Sequence, residues 1–416
     1  MSTAHSLNSW PHVLASVLLM AAGTMQHAAA DAPASDSAVE RGKYLAIAGN
    51  CSSCHTTGQG EYMAGGVSFA TPFGTLYSTN ITSHPEKGIG SWTREQFRTS
   101  MRSGVRPNGE HLYPAFPYTS FTKVSDDDID ALYAYFQTVP PADWTPPEND
   151  MPFPFNQRAL MGAWKALFFK EGAFTPDPKQ SDEWNRGAYL VEGLAHCGAC
   201  HTPRNMLGAE KSSQALSGGL YTDKIPDGDL MPWSAVNLTS AKSGLAKWTV
   251  DDLTSYLKTG KNSFIATYGP MNEVIMNSTR HLSEADVRAM SVYIKSLPPI
   301  EHKGSKASDK VLAHGEMLYT VYCGSCHLPT GLGDPNSGPP LVGSAVIQAP
   351  SPASLLNTLM FGPELPEPAL ETQWMTMEAF GEKMTDEEIA ALASYLRSAW
   401  GNEGGAVSAK DVAAHR

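Results

Sequence analysis

Six cysteines and three histidines carry the most specific chemistry in this sequence. Cys51-Ser52-Ser53-Cys54-His55, Cys197-Gly198-Ala199-Cys200-His201 and Cys323-Gly324-Ser325-Cys326-His327 repeat one spacing and use every cysteine of the chain. Two thiols three positions apart lie near one face of a helical turn, where they can form thioethers with the two vinyl groups of one haem. The His that follows then offers its imidazole to the iron as proximal ligand. Zinc asks for four ligands, whereas each motif supplies three and no second Cys/His cluster lies near enough to complete the set. A thioredoxin-like redox pair does not require a His after every pair. The pattern predicts three covalently bound haems c. Cys51, Cys54, Cys197, Cys200, Cys323 and Cys326 are the tethers, and His55, His201 and His327 bind iron.

A haem of this kind usually takes a sixth ligand, commonly Met, from a loop before a last helix. Three such helices are predicted, opening at Ser125, Ser283 and Thr385. Each has a hydroxyl N-cap, acidic residues in its first turn and apolar residues at helical spacing. Tyr135, Tyr293 and Tyr395 take matching positions in them. Met271 in Gly-Pro-Met precedes the second helix and Met377 precedes the third, so both are predicted iron ligands, with Met375 competing for the third site. The first segment has Phe116 at the equivalent place, in Tyr-Pro-Ala-Phe-Pro-Tyr. Phe cannot ligate iron. Met101, Met63, His111 or no residue at all stays open as the sixth ligand of the first haem. Met101 and Leu257 each stand nine residues after a Trp (Trp92, Trp248), which suits core packing.

The motifs divide the chain into three similar units. Each opens with a helix bearing a Gly (Gly42, Gly187, Gly315), where a missing Cβ lets the first and last helices approach closely. The first two units share more. Asn80-Ile81-Thr82 answers Asn237-Leu238-Thr239, and a Gly-rich stretch before Trp92 answers one before Trp248. The Asn-x-Thr strings match a glycosylation sequon, but their recurrence at matched places favours a structural role. The expected fold is all-α, with cytochrome c domains at 38–142, 181–299 and 310–402. Residues 143–180 form a Pro- and aromatic-rich linker, too apolar for a free tether and expected to pack on a domain or a partner. Residues 300–309 form a short polar linker, and 403–416 are expected to be a flexible tail.

The 416 residues carry a formal net charge of −12, which argues against nucleic acid, whose binding needs clustered Lys and Arg. The apolar run Val13–Met25 followed by Ala28-Ala29-Ala30 reads as an export signal ending near residue 30. It is shorter than a membrane span requires. An exported chain, soluble or attached peripherally to the membrane, is expected.

Several strings make the chain resemble a known family. They are Tyr77-Ser78-Thr79-Asn80-Ile81-Thr82, Leu112-Tyr113-Pro114-Ala115, Asn185-Arg186-Gly187-Ala188-Tyr189-Leu190-Val191, His196-Cys197-Gly198-Ala199-Cys200-His201-Thr202-Pro203-Arg204 and Trp400-Gly401-Asn402. The chain resembles the triple-haem cytochrome c subunit of bacterial membrane-bound dehydrogenases, such as those acting on alcohols, gluconate, fructose and sorbitol. The resemblance implies three consecutive class I cytochrome c-like domains. It also implies a separate large subunit, a quinoprotein, flavoprotein or molybdoprotein, which oxidises an alcohol, aldehyde or sugar derivative at the periplasmic face of the inner membrane. This chain would pass the electrons to ubiquinone. That family tends to have Met where Phe116 stands. Two other readings compete: a free periplasmic multihaem carrier, and a haem enzyme using an open first haem.

Overall fold

The fold was obtained as a computed structural model, which describes residues 35–224, 230–366, 370–371 and 374–416. The export signal expected at 1–30 lies outside them. The chain runs α1 (Asp36–Ala48), α2 (Cys51–His55), β1 (Ser68–Thr71), β2 (Gly74–Tyr77), α3 (Arg94–Ser103), α4 (Tyr118–Phe121) and α5 (Asp126–Phe136). After α6 (Leu160–Phe168) the order recurs as α7 (Asp182–Tyr189), a π-helical turn Leu190–Leu194, α8 (Gly198–His201), β3 (Gly219–Lys224), β4 (Leu230–Ala235), α9 (Val250–Thr259), α10 (Met271–Asn277) and α11 (Glu284–Ser296). The last part has α12 (Asp309–Tyr322), α13 (Gly324–His327), α14 (Ala353–Phe361), α15 (Asp386–Leu396) and α16 (Ala409–Ala413).

The helices start where the sequence places caps. The hydroxyls of Ser125, Ser283 and Thr385 accept from the backbone N–H three residues on, at the head of α5, α11 and α15. The acidic first turns behind them complement the helix dipole. Thr93 with Gln96 and Thr249 with Asp252 close capping boxes on α3 and α9.

Three helix pairs cross at glycine. α1 packs on α5, α7 on α11 and α12 on α15. A Cβ added at Gly42 would stand 1.9 Å from the Ala131 carbonyl oxygen, one at Gly187 1.9 Å from that of Ala289, and one at Gly315 2.2 Å from that of Ala391. The next neighbours are the Cβ atoms of Tyr135, Tyr293 and Tyr395. The helices therefore touch backbone to backbone, and the matching tyrosines flank the contact. Each crossing anchors a buried apolar cluster. Leu45, Ile129 and Leu132 lie in the first, Leu190, Val287 and Ile294 in the second, and Leu318, Leu356 and Leu392 in the third.

Four features bear on the expectations: the first and third differ from them, the second and fourth agree. The fold is mainly helical but holds two antiparallel hairpins, β1–β2 with Ser68 opposite Tyr77 and β3–β4 with Gly219 opposite Ala235. The strands of the first span only four residues each, too few for a period-two signal to stand out. Second, residues 143–180 contain α6 and pack on the first unit at β2, the end of α3 and α4. Asp150 pairs with Thr75, Lys165 Nζ donates to the Ser103 and Gly104 carbonyls at 2.6 and 2.8 Å, and Phe169 stacks edge-on against Tyr118. Third, the last residues are not a flexible tail. Val407 and Val412 are buried in the third cluster, α16 has a Ser408–Asp411 capping box, and Arg416 donates to the Gly381 and Met384 carbonyls. Small residues and a polar look concealed two well-placed valines. Fourth, the Asn-x-Thr strings are structural. Asn80 and Asn237 are buried, and each Oδ1 accepts from the backbone N–H and hydroxyl of the Thr two residues on. Their amides donate to carbonyls where the units end, those of Ala142 and Trp144 for Asn80 and that of Ile300 for Asn237.

Candidate haem-binding sites

Each C-x-x-C-H string has a positive-φ residue at one end. Asn50 (φ 50°) leads into α2 and His196 (φ 37°) stands before Cys197, while Leu328 (φ 58°) follows His327. Asn50 and His196 separate one helix from the short one after it within a residue or two, while in the third motif α12 runs directly into Cys323; in each case the two sulfurs and the imidazole fall on one turn.

The imidazoles are held in the same way three times. Nδ1 of His55 lies 2.7 Å from the Thr79 carbonyl oxygen, that of His201 2.8 Å from Val236, and that of His327 2.8 Å from Pro339. A carbonyl can only accept, so Nδ1 carries the proton and donates. The lone pair is left on Nε2, which is the arrangement an axial iron ligand needs. Burial lowers the pKa of all three imidazoles, against the smaller opposing pull of the carbonyl, and keeps them neutral. Sequence reasoning did not find these carbonyls. The repeated Asn-x-Thr strings were the available signal, since Thr79 and Val236 immediately precede Asn80 and Asn237.

The cysteines fit thioethers better than metal thiolates. Burial pushes the thiols of Cys51, Cys54, Cys197 and Cys323 up to about 12, and that of Cys200 to about 11. Charged sulfur is disfavoured there, while a neutral thioether loses nothing by burial. The six form no disulfide. Among the described residues no three His, Cys, Asp or Glu side chains converge as a bare metal ion would require.

Met271 is the first residue of α10 and is partly buried. Met377 is partly buried against the third apolar cluster, whereas Met375 is 68% exposed. In the first unit a backbone register fixes which residue answers Met271. Leu112 N–H donates to the Gly104 carbonyl at 2.8 Å, and Thr267 N–H donates to the Gly260 carbonyl at 2.7 Å. Both glycines are left-handed caps, of α3 and α9. Four residues beyond each donor stand Phe116 and Met271. Phe116 packs edge-on against Phe121 at 5.2 Å.

The same comparison places Met63 and Met101. Met63 N–H donates to the Thr56 hydroxyl at 3.0 Å and its carbonyl accepts from Ile81; Leu216 N–H donates to the Thr202 hydroxyl at 3.0 Å and its carbonyl accepts from Leu238. Their φ angles are 61° and 60°. Met63 thus holds the position that Leu fills in the second unit. Met101 on α3 and Leu257 on α9 are likewise both buried in their cores. His111 is turned to the linker, with Nδ1 3.0 Å from Lys165 Nζ.

The sites adjoin through α10. Asn277 near its end donates to the hydroxyl of Ser53, inside the first motif, at 2.9 Å. Asn272 near its start donates to the Glu364 carbonyl, in the segment after α14, at 2.9 Å. The His196 imidazole Nε2 reaches the Gly49 carbonyl, two residues before Cys51, at 3.2 Å. The helix that carries Met271 therefore touches both the first motif and the third unit.

Residues 39–140 match the family described as Cytochrome c, and residues 310–396 the one described as Cytochrome C oxidase, cbb3-type, subunit III. The chain is 38% identical to the fructose dehydrogenase cytochrome subunit of Gluconobacter japonicus, over 95% of this chain and 87% of that one. It is 38% identical to the gluconate 2-dehydrogenase cytochrome c subunit of Pantoea cypripedii, over 97% and 95% respectively. With the alcohol dehydrogenase (quinone) cytochrome c subunit of Gluconacetobacter polyoxogenes it shares 36% identity over 96% and 88%. Matches of this extent, on a mainly helical fold with three identically held C-x-x-C-H turns, place the chain in the family of dehydrogenase cytochrome c subunits.

Proposed function

We propose that this chain is the electron-transfer subunit of a membrane-bound dehydrogenase, carrying electrons through three haems c to ubiquinone. The observation that carries this reading is the near end-to-end similarity to three dehydrogenase cytochrome subunits, joined to the threefold His–carbonyl geometry. The donor is a separate catalytic subunit oxidising an alcohol, aldehyde or sugar derivative. The chain is exported and works at the periplasmic face of the inner membrane.

Haem supplies one-electron Fe(III)/Fe(II) chemistry when bound. The chain does the rest. Cys51, Cys54, Cys197, Cys200, Cys323 and Cys326 tether, while the carbonyls of Thr79, Val236 and Pro339 orient the three imidazoles. Met271 and Met377 are the sulfur donors for the second and third sites, and thioether sulfur favours the reduced iron. The second site lies between the others, because α10 contacts both neighbours.

The test is purification from the native membrane. A co-purifying large subunit whose substrate reduces the haems of this chain, followed by reduction of added ubiquinone, is the expected result. A lone soluble chain whose haems no dehydrogenase substrate reduces would refute the reading in favour of a free carrier.

A further inference from the structure

We propose that the haem tethered at Cys51 and Cys54 has His55 as its only strong axial ligand and is a binding site for small external ligands. These are neutral diatomic molecules in the ferrous state and small anions in the ferric state. The inference rests on the haem-loaded chain proposed above and extends it to a second role for one site.

The case is made by accounting for the donors that the sequence leaves open and those beside them. Phe116 occupies the position of Met271, fixed by the Leu112–Gly104 and Thr267–Gly260 hydrogen bonds four residues earlier. Its ring has no lone pair to give. Met63 has the backbone geometry and hydrogen bonds of Leu216, and Met101 is buried on α3 as Leu257 is on α9. A position that Leu fills equally well in the sister unit is a packing position. The sulfurs of both methionines are core atoms here.

The nitrogen donors are engaged elsewhere. His111 Nδ1 faces Lys165 Nζ at 3.0 Å, and its Nε2 would lie 3.1 Å from a Cβ on Gly162 of α6. Both edges of that ring are therefore covered by the linker helix. Lys165 itself donates to Ser103 and Gly104. Lys123 Nζ pairs with Glu192 at 2.5 Å. Of the phenols, Tyr113 donates to the Phe155 carbonyl at 2.7 Å, and Tyr62 and Tyr135 share a 3.2 Å contact. The Tyr118 hydroxyl is buried without a hydrogen-bond partner, its ring under Lys165 and against Phe169; burial raises its pKa and keeps it a neutral phenol, a poor donor to iron.

An iron with one strong axial ligand takes a sixth from solution. Phe116 and Phe121 pack edge-on and carry no charge, which suits a small ligand better than a bulky one. The sister site has Met271 in the same place. One difference of side chain thus opens one haem of the scaffold to outside ligands and closes its sister.

Full-length chain with its haems attached is reduced with dithionite and titrated with carbon monoxide, with the Soret band as readout. The expected stoichiometry is about one carbon monoxide per chain. Phe116→Met should abolish that binding by supplying a sulfur. Met271→Phe should raise it to about two per chain, which keeps the test decisive if the first variant folds poorly. A wild-type chain that binds no carbon monoxide overturns the inference. So does a Phe116→Met chain that keeps covalent haem at Cys51–Cys54 yet binds as much as wild type. Mass measurement of the haem peptides separates the two levels: absence of haem at that motif refutes the electron-transfer reading and this inference with it.

Discussion

Tyr44 of α1 donates its hydroxyl to Asp286 Oδ2 of α11 at 2.6 Å, and Tyr189 of α7 donates to Asp128 Oδ2 of α5 at 2.5 Å. The two bonds run in opposite directions across one interface. Each Tyr oxygen also accepts from the N–H of the partner helix's N-cap, Ser283 at 3.1 Å and Ser125 at 3.2 Å. Each Asp is held in addition by an arginine of its own unit, Arg186 on Asp286 and Arg41 on Asp128. The first helix of each unit therefore completes the last helix of the other. This reciprocity fixes how the first two C-x-x-C-H turns face one another.

Tyr44→Phe should weaken that interface by about 1–3 kcal/mol, the range for a hydrogen bond to a charged group in a part-buried site. Burial works to raise the Asp286 carboxyl, but the hydrogen bonds from Arg186 and Tyr44 outweigh it and hold the group below its ordinary value of 3.8. A depressed carboxylate stabilises the fold above its unfolded pKa, and that contribution is lost as pH falls through the folded value. The deficit of Tyr44→Phe relative to wild type should be full at pH 7 and shrink below pH ~4. Thermal unfolding at both pH values reads it. A deficit that does not change with pH would show that the tyrosine acts by packing alone.

Much of this was legible in the residues, and the reasons differ by feature. Gly42, Gly187 and Gly315 stood 9, 10 and 8 residues before the first Cys of their motifs, and a backbone crossing admits nothing larger, so the helix pairs could be read. The C-x-x-C-H turns were legible because covalent attachment tolerates no other spacing. Lys165 on α6 was not legible, because its partners are the Ser103 and Gly104 carbonyls, and carbonyls have no signature in the sequence. The same holds for the carbonyl behind His327, from Pro339, which no repeat of the first two units announces. The Met63–Leu216 correspondence was hidden because the two loops differ in length: Met63 comes eight residues after His55, Leu216 fifteen after His201. Only the Thr56 and Thr202 hydrogen bonds align them.

The glycine crossings predict the cost of a single methyl group. Gly187→Ala would bring a Cβ to 1.9 Å from the Ala289 oxygen, so the helices must separate. Overpacking of this kind costs about 1–3 kcal/mol, more than the ~1 kcal/mol that Ala gains over Gly in helix propensity. Urea unfolding should show lower stability for Gly42→Ala, Gly187→Ala and Gly315→Ala alike. A neutral or stabilised variant would mean that the backbone contact yields.

Asn80 and Asn237 should be intolerant of change for a reason unrelated to glycosylation. Asn80→Ala strands the Thr82 N–H and the Ala142 and Trp144 carbonyls at buried or part-buried sites. Each unsatisfied buried group costs about 1–3 kcal/mol. Because Thr79 precedes it and holds His55, the variant should also perturb the spectrum of the first haem more than those of the others. Asn237→Ala should do the same to the second through Val236. Loss of stability with three unchanged haem spectra would separate the Asn bridge from the imidazole.

The third site offers a choice between two nearby sulfurs. Met375 is 68% exposed, while Met377 packs on the cluster that holds Leu355, Leu359 and Phe380. A ligand must be held in place to stay on iron, and an exposed side chain two residues away has nothing to hold it. Met377→Ala should therefore remove one low-spin haem and lower its potential, since thioether sulfur is what favours the reduced state. Met375→Ala should leave every haem spectrum as it was. Redox titration of the two variants decides the matter: a change confined to Met375→Ala would move the ligand to the exposed residue.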